Sequence, residues 1–248
     1  MRMKKRAAMR KRTRTALAAG VLGIGWLAGH AQTPPISAGS APKRTAASVF
    51  AGSRWEASLA AFAEQDRREA PPAGGVLFVG SSSIRLWGDL EKQFDQKPCV
   101  VKRGFGGSRM SDVAQYLGQI VLPYKPRVVL VYAGDNDLAE GASPHQVLQS
   151  FQSFVQGVRE ALPDTRIAYI SIKPSPLRRS VLPAARETNE LIRQYTAHEP
   201  NMDYIDVYTP MLDAHGEPRR ELFLDDSLHL NAEGYSLWKR VISAHLHD

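Results

Sequence analysis

Four short segments of this chain hold the residue types that acyl transfer needs. Gly80-Ser81-Ser82-Ser83-Ile84 offers hydroxyls, and Gly104-Phe105-Gly106-Gly107-Ser108 offers backbone N–H groups with little side-chain obstruction. Gly134-Asp135-Asn136-Asp137 offers a side-chain amide, and Asp225-Asp226-Ser227-Leu228-His229-Leu230-Asn231 places a carboxylate three residues before an imidazole. A serine hydroxyl is a poor nucleophile at neutral pH and needs a base within hydrogen-bond reach. Imidazole suits that role because its unperturbed pKa, roughly 6.5, lies near operating pH. A carboxylate can hold its other nitrogen, and N–H donors can receive the negative oxygen of a tetrahedral intermediate. Taken singly, each segment has a plainer reading. The serines fit an ordinary polar turn, GFGGS a tight turn or part of a phosphate cradle, and GDND a loop of side-chain-bonded turn residues. Asp226 and His229 would then be a capping acid and a surface imidazole.

What joins the four segments is their place along the chain. Five apolar runs, Val76–Val79, Val100–Lys102, Val128–Tyr132, Ile167–Ile172 and Tyr204–Val207, alternate with helical patterns. Continuous Val/Ile/Leu runs predict strands buried on both faces, as in a parallel sheet. The helical patterns cover Trp55–Arg67, Ser111–Ile120, Pro144–Leu162, Ala184–His198 and Ala232–Ala244. Ser143 before Pro144 and Asn231 before Ala232 supply N-caps. Such alternation predicts an α/β sandwich with right-handed crossovers. In these folds ligands sit outside the carboxyl ends of the strands. The first three segments directly follow strands, and the fourth directly precedes the last helix. All four therefore converge on one rim.

These blocks resemble those of the SGNH hydrolase superfamily, the GDSL-type esterases and lipases. The resemblance runs from about Val76 to Trp238 and is closest at Asp226-Ser227-Leu228-His229-Leu230-Asn231-Ala232-Glu233-Gly234-Tyr235. It implies a three-layer α/β/α sandwich with a central five-stranded parallel sheet, similar to flavodoxin. Carried over by position, it implies Ser82 as nucleophile with Asp226 and His229 completing a triad. The Ser82 and Gly107 N–H groups and the Asn136 amide would form the oxyanion hole. No metal or cofactor is implied. The chain departs from the family pattern at Ser81, where relatives carry Asp. Three consecutive serines leave the nucleophile to be chosen among them, and Gly80, Ile84 and Leu86 set the register on Ser82.

The net charge of +7 invites a nucleic-acid reading, but eight Lys/Arg and no acid lie within residues 1–31. Taking those eight from 32 leaves 24 basic residues against 25 acidic ones. The basicity belongs to a leader, not to a nucleic-acid surface. This leader has a cationic segment ending at Arg14, an apolar run Ala16–Ala28, and Gly29-His30-Ala31 at its end. That is the layout of a cleavable secretory signal, too short to span a bilayer, which takes roughly 20 residues. The expectation is export to the periplasm or medium with cleavage near Ala31 and no stable membrane anchor afterwards. Residues 32–47, rich in Pro, Ala, Ser and Gly, read as a flexible linker, and a hydrolase domain follows over 48–248. The single cysteine, Cys99, excludes an intrachain disulfide framework.

The sequence thus predicts an exported serine esterase acting on small acyl esters, with a small-molecule or carbohydrate ester as partner. Carbohydrate O-acetyl groups are a candidate, since exported members of the family often deacetylate polysaccharides. A lipase or lysophospholipase is an alternative, as is a non-catalytic module binding envelope glycans. A metal-dependent hydrolase would instead gather Asp135, Asp137, Asp225, Asp226 and His229 around a divalent cation. Arg85, Trp87 and Lys173-Pro174-Ser175-Pro176 are expected near the substrate groove, although Trp87 fits packing beneath the turn equally well. His145, His198, His215, His245 and His247 read as solvated surface residues, and Cys99 as a small core residue.

Overall fold

The computed structural model describes residues 54–246. The signal peptide, the linker and the start of the domain expected at residue 48 lie outside the described residues, as does His247.

Five strands form the core: β1 (Val76–Gly80), β2 (Val100–Gly104), β3 (Val128–Tyr132), β4 (Arg166–Ile170) and β5 (Met202–Ile205). All neighbouring pairs are parallel, in the order β2-β1-β3-β4-β5. The apolar runs predicted this because both faces of each inner strand must be covered. Alternate residues do go to opposite sides. Leu77, Val79, Val129 and Val131 join the core beneath the longer helices, while Val76, Phe78, Val128 and Leu130 join the other core.

Helices cover both faces, giving three layers. One layer contains α1 (Glu56–Arg68), α4 (Met110–Gln115), α5 (Leu117–Ile120), α6 (Asp135–Ala139), α7 (Pro144–Ala161) and α8 (Leu182–His198). Ser143 and Gln146 close a reciprocal capping box at the start of α7, with Pro144 next in line. The buried stripe of α7 is Val147, Phe151, Phe154, Val155 and Val158, at the helical spacing read in the sequence. The opposite layer contains α2 (Ser82–Arg85), α3 (Leu90–Gln93) and α9 (Ala232–Ser243). There Trp87 and Trp238 stack edge-on at 6.0 Å, both fully buried.

Two features differ from the sequence expectation. The predicted helix Ser111–Ile120 is broken at Tyr116, whose buried ring packs edge-on against Phe105 at 6.3 Å. Here tertiary packing overrides local propensity. The fourth and fifth apolar runs continue beyond the strand ends. Ile172 and Val207 are buried without ladder partners, and side chains take up their backbone groups. Asn189 bonds both N and O of Ile172 at 2.8 and 3.0 Å, and Ser171 Oγ accepts from Val207 N at 2.9 Å.

The strand order also places the site. From β1, second in the sheet, the chain steps outward to β2, then returns past β1 to β3 and continues the other way. The connections leaving β1 and β3 therefore diverge, and the crevice at their carboxyl ends is the natural ligand position.

Candidate active site

Gly80 ends β1 at φ +141°, and a Cβ there would lie 1.9 Å from the Tyr132 carbonyl oxygen. Only glycine allows β1 and β3 to approach this closely. The turn is stitched to both neighbouring strands. Ser81 N donates to Tyr132 O at 3.0 Å, and Phe105 N donates to Gly80 O at 2.9 Å. Ser81 and Ser83 are consequently buried, at 0% and 1% exposure. Ser82, between them, is half-buried and faces a cavity. Of the three serines, Ser82 is the one that a substrate can reach.

The histidine comes from the loop before α9. Asp226 Oδ1 accepts the N–H groups of Leu228 and His229, both at 2.9 Å, while Oδ2 meets His229 Nδ1 at 2.6 Å. The backbone bonds, led by that from His229, and the ring bond hold the Asp226 carboxyl at about 2. An ionised carboxylate only accepts, so Nδ1 carries a proton, and the neutral ring presents the Nε2 lone pair. That nitrogen lies 3.1 Å from Ser82 Oγ. Ser227 sits at φ +57°, which lets the loop fold back tightly enough for this contact. Asn231 locks the loop to α9. Its Oδ1 caps Glu233 N and Gly234 N, and its Nδ2 donates to the carbonyls of Glu221 and Phe223.

Gly107 (φ +79°) and Asn136 line the same cavity. Asn136, at 8% exposure, donates from Nδ2 to Ser108 O at 2.9 Å and accepts from Arg178 Nη2 at 2.7 Å. One residue on, Asp137 accepts the Met110 N–H through both oxygens at 2.9 and 3.1 Å. The turn after β3 is thereby fastened to the turn after β2. Burial pushes the Asp137 carboxyl up to about 6. Among the described residues, no acceptor is assigned to the N–H of Ser82 or Gly107. The cavity, about 530 Å³, is completed by Arg54, Trp55, Ser58, Arg85, Gly106 and Leu228. A separate apolar groove of about 360 Å³ beside Leu59, Phe62 and Pro123 contains none of these groups.

The structure thus brings together Ser82, Gly107, Asn136, Asp226 and His229. Other expectations need correction. Lys173 does not line the cavity. It is 2% exposed, and Nζ meets Tyr132 Oη and Asp135 Oδ2, each at 3.2 Å. Ser175 is likewise buried, and Trp87 packs beneath the turn and donates to Gln93 Oε1 at 3.1 Å. The five proposed metal ligands do not gather. Asp135 pairs with Lys173 and Arg178, Asp137 holds Met110 N, and no group of three or more metal-binding side chains occurs among the described residues. His145, His198 and His215 are exposed, but His245 is half-buried, with Nδ1 2.8 Å from Asp203 Oδ2. Cys99 is half-buried at the core edge, and burial pushes its thiol up. Three contributors were missed: Arg54 and Trp55, which immediately precede α1, and Arg178. A second arginine beside Arg179 in the post-strand segment was the only available hint of Arg178.

The GDSL-like lipase/acylhydrolase family model matches residues 75–237. The chain belongs to that family. It is thereby a member of the SGNH hydrolase superfamily and of an acylhydrolase lineage. A protein from Streptococcus pneumonia shares the fold at a TM-score of 0.69 and 19% identity, covering 82% of this chain and all of that one. A GDSL-like lipase from Bacteroides thetaiotaomicron does so at 0.65 and 20%, covering 75% and 96%. An acetylxylan esterase from Geobacillus stearothermophilus does so at 0.55 and 15%, covering 69% and 94%. No curated protein matches the chain. Among the described residues, no helix of this family member is long and apolar enough to cross a membrane.

Proposed function

We propose that the protein is an exported serine esterase that cleaves small acyl esters, carbohydrate O-acetyl groups among them. The observation that carries this reading is the continuous line from Asp226 through His229 to Ser82, at 2.6 and 3.1 Å. Ser82 Oγ attacks the ester carbonyl while its proton passes to His229 Nε2, and Asp226 stabilises the resulting imidazolium. The carbonyl oxygen becomes an oxyanion facing the N–H groups of Ser82 and Gly107 and the Asn136 amide. Collapse of this intermediate breaks the bond to the alkoxide, which leaves with the proton from His229. Water then repeats the sequence on the acyl-enzyme, releasing the acid and restoring Ser82.

The preference for short acyl groups is supported by a cavity whose lining mixes Arg54, Arg85, Ser58 and Trp55, with Leu228 the only aliphatic side chain among the described residues that line it. The acetylxylan esterase relative points the same way. Export rests on the leader described above, and a mature protein beginning near Gln32 would support it.

The deciding test is a fluorophosphonate applied to purified mature protein, with the adduct mapped by peptide mass spectrometry. A single adduct on Ser82 is expected. An adduct on Ser81 or Ser83, or none in folded protein, refutes the assignment. Higher turnover of p-nitrophenyl octanoate than of the acetate would reject the short-acyl preference in favour of a lipase.

A further inference from the structure

Asn136 can serve an oxyanion only if its NH₂, not its carbonyl, faces the substrate. Two contacts govern this choice. Ser108 O is purely an acceptor and lies 2.9 Å from Nδ2, while the Arg178 guanidinium is purely a donor and lies 2.7 Å from Oδ1. Flipping the amide would set donor against donor at one end and acceptor against acceptor at the other. The amide has two hydrogens, and Ser108 uses one. The other stays available to the cavity.

Arg178 is itself held in place. Its Nη1 lies 2.9 Å from Asp135 Oδ2, and that carboxylate also pairs with Lys173 at 3.2 Å. All three side chains are largely buried, at 18%, 6% and 1% exposure for Arg178, Asp135 and Lys173. The cluster holds two cations and one carboxylate, and the guanidinium bridges directly to the Asn136 amide. Arg178 lies in the 3₁₀ segment Pro176–Val181, which is also tied to the catalytic loop through Leu177 N donating to Ser227 O at 3.0 Å. Arg178 is not among the residues lining the substrate cavity.

We propose that Arg178 is a positioning residue for acyl transfer. It orients the Asn136 amide toward the oxyanion, and its ion pair with Asp135, which Lys173 shares, holds the guanidinium in place for that task. This inference rests on the esterase reading. An oxyanion exists only after attack, so the effect belongs to kcat and not to KM.

The test is a double-mutant cycle on p-nitrophenyl acetate hydrolysis, with Arg178→Met, Asn136→Ala and the double variant, beside Arg178→Gln and Arg178→Lys. Removing one oxyanion donor costs on the order of 10²–10³ in kcat. Arg178→Met should therefore lower kcat by roughly 30- to 300-fold with KM unchanged, but by less than about 3-fold in the Asn136→Ala background. Arg178→Gln, which keeps a donor for Oδ1, should recover part of the loss, and thermal melts identify any variant that is not folded. Equal losses in both backgrounds, or an unchanged kcat in Arg178→Met, overturn the proposal. A readout independent of turnover is the Asn136 side-chain NH₂ pair in ¹⁵N NMR spectra, assigned by its loss in Asn136→Ala. It should shift and broaden in Arg178→Met, or in Arg178→Lys if the Met variant does not fold, and an unchanged pair refutes the proposal. A parent that neither turns over esters nor labels at Ser82 fails the esterase reading instead, and the NMR result still decides the role of Arg178.

Discussion

Asp226→Asn tests the triad most sharply, because the structure dictates what asparagine must do there. The carboxylate makes three contacts, all with donors: Leu228 N, His229 N and His229 Nδ1. An asparagine that keeps its oxygen on the two backbone N–H groups turns its NH₂ toward the ring. Nδ1 must then accept, the ring proton moves to Nε2, and the nitrogen facing Ser82 loses its lone pair. The opposite rotamer repairs the ring but sets an NH₂ against two backbone donors, so the unproductive tautomer is favoured. The charge is lost as well. An imidazolium and a carboxylate with charge centres about 4 Å apart attract by about 4 kcal/mol at an effective dielectric of about 20. The Asp226 side chain is 46% exposed, and solvent screening reduces this to about 1 kcal/mol. Together with the tautomer change, the expected loss in kcat is roughly 10³-fold, below the roughly 10⁴-fold seen when a buried triad carboxylate is amidated. KM should change by less than about twofold, since Asp226 does not line the cavity. Steady-state hydrolysis of p-nitrophenyl acetate measures both quantities. A kcat within tenfold of the parent would refute the argument, because neither the tautomer nor the charge would then matter.

Two further outcomes follow from the same geometry. Asn136→Ala removes an oxyanion donor and should lower kcat by about 10²- to 10³-fold; near-parental turnover would reject its role. Asp137 has its folded pKa raised from 3.8 to about 6 by burial. Between roughly pH 4 and 6 the native state therefore binds a proton that the unfolded state does not, and stability falls as pH rises through this window. Asp137→Asn removes that dependence. From pH 4 to pH 7 its unfolding free energy relative to the parent should improve by up to about 3 kcal/mol. Urea midpoints across that range measure it, and a pH-independent difference would count against the burial argument.

Features that depend on near neighbours along the chain were legible in the sequence. Short continuous apolar runs alternating with helical patterns fit strands covered on both faces, so the parallel sheet and its helices were legible. The Asp226–His229 contact was legible too, because a carboxylate that caps the N–H groups two and three residues ahead brings an imidazole three residues on within reach. The family register pointed to Ser82, but the physical reason that it alone of three identical side chains faces the crevice is tertiary: Ser81 and Ser83 are buried. That choice follows from the bonds that draw Ser81 N to Tyr132 and Gly80 O to Phe105. The contact between His229 and Ser82 joins residues 147 positions apart, and no local pattern encodes its distance. Lys173 was expected at the groove because it follows β4. Chain order gives the rim on which a residue stands, but the depth and direction of its side chain depend on the partners awaiting it. Asp135 and Tyr132, supplied by the neighbouring strand and its turn, draw Lys173 inward. Arg178 turns toward Asn136 for the same reason: a buried charge goes where its counter-charge lies, and folding alone brings the two together.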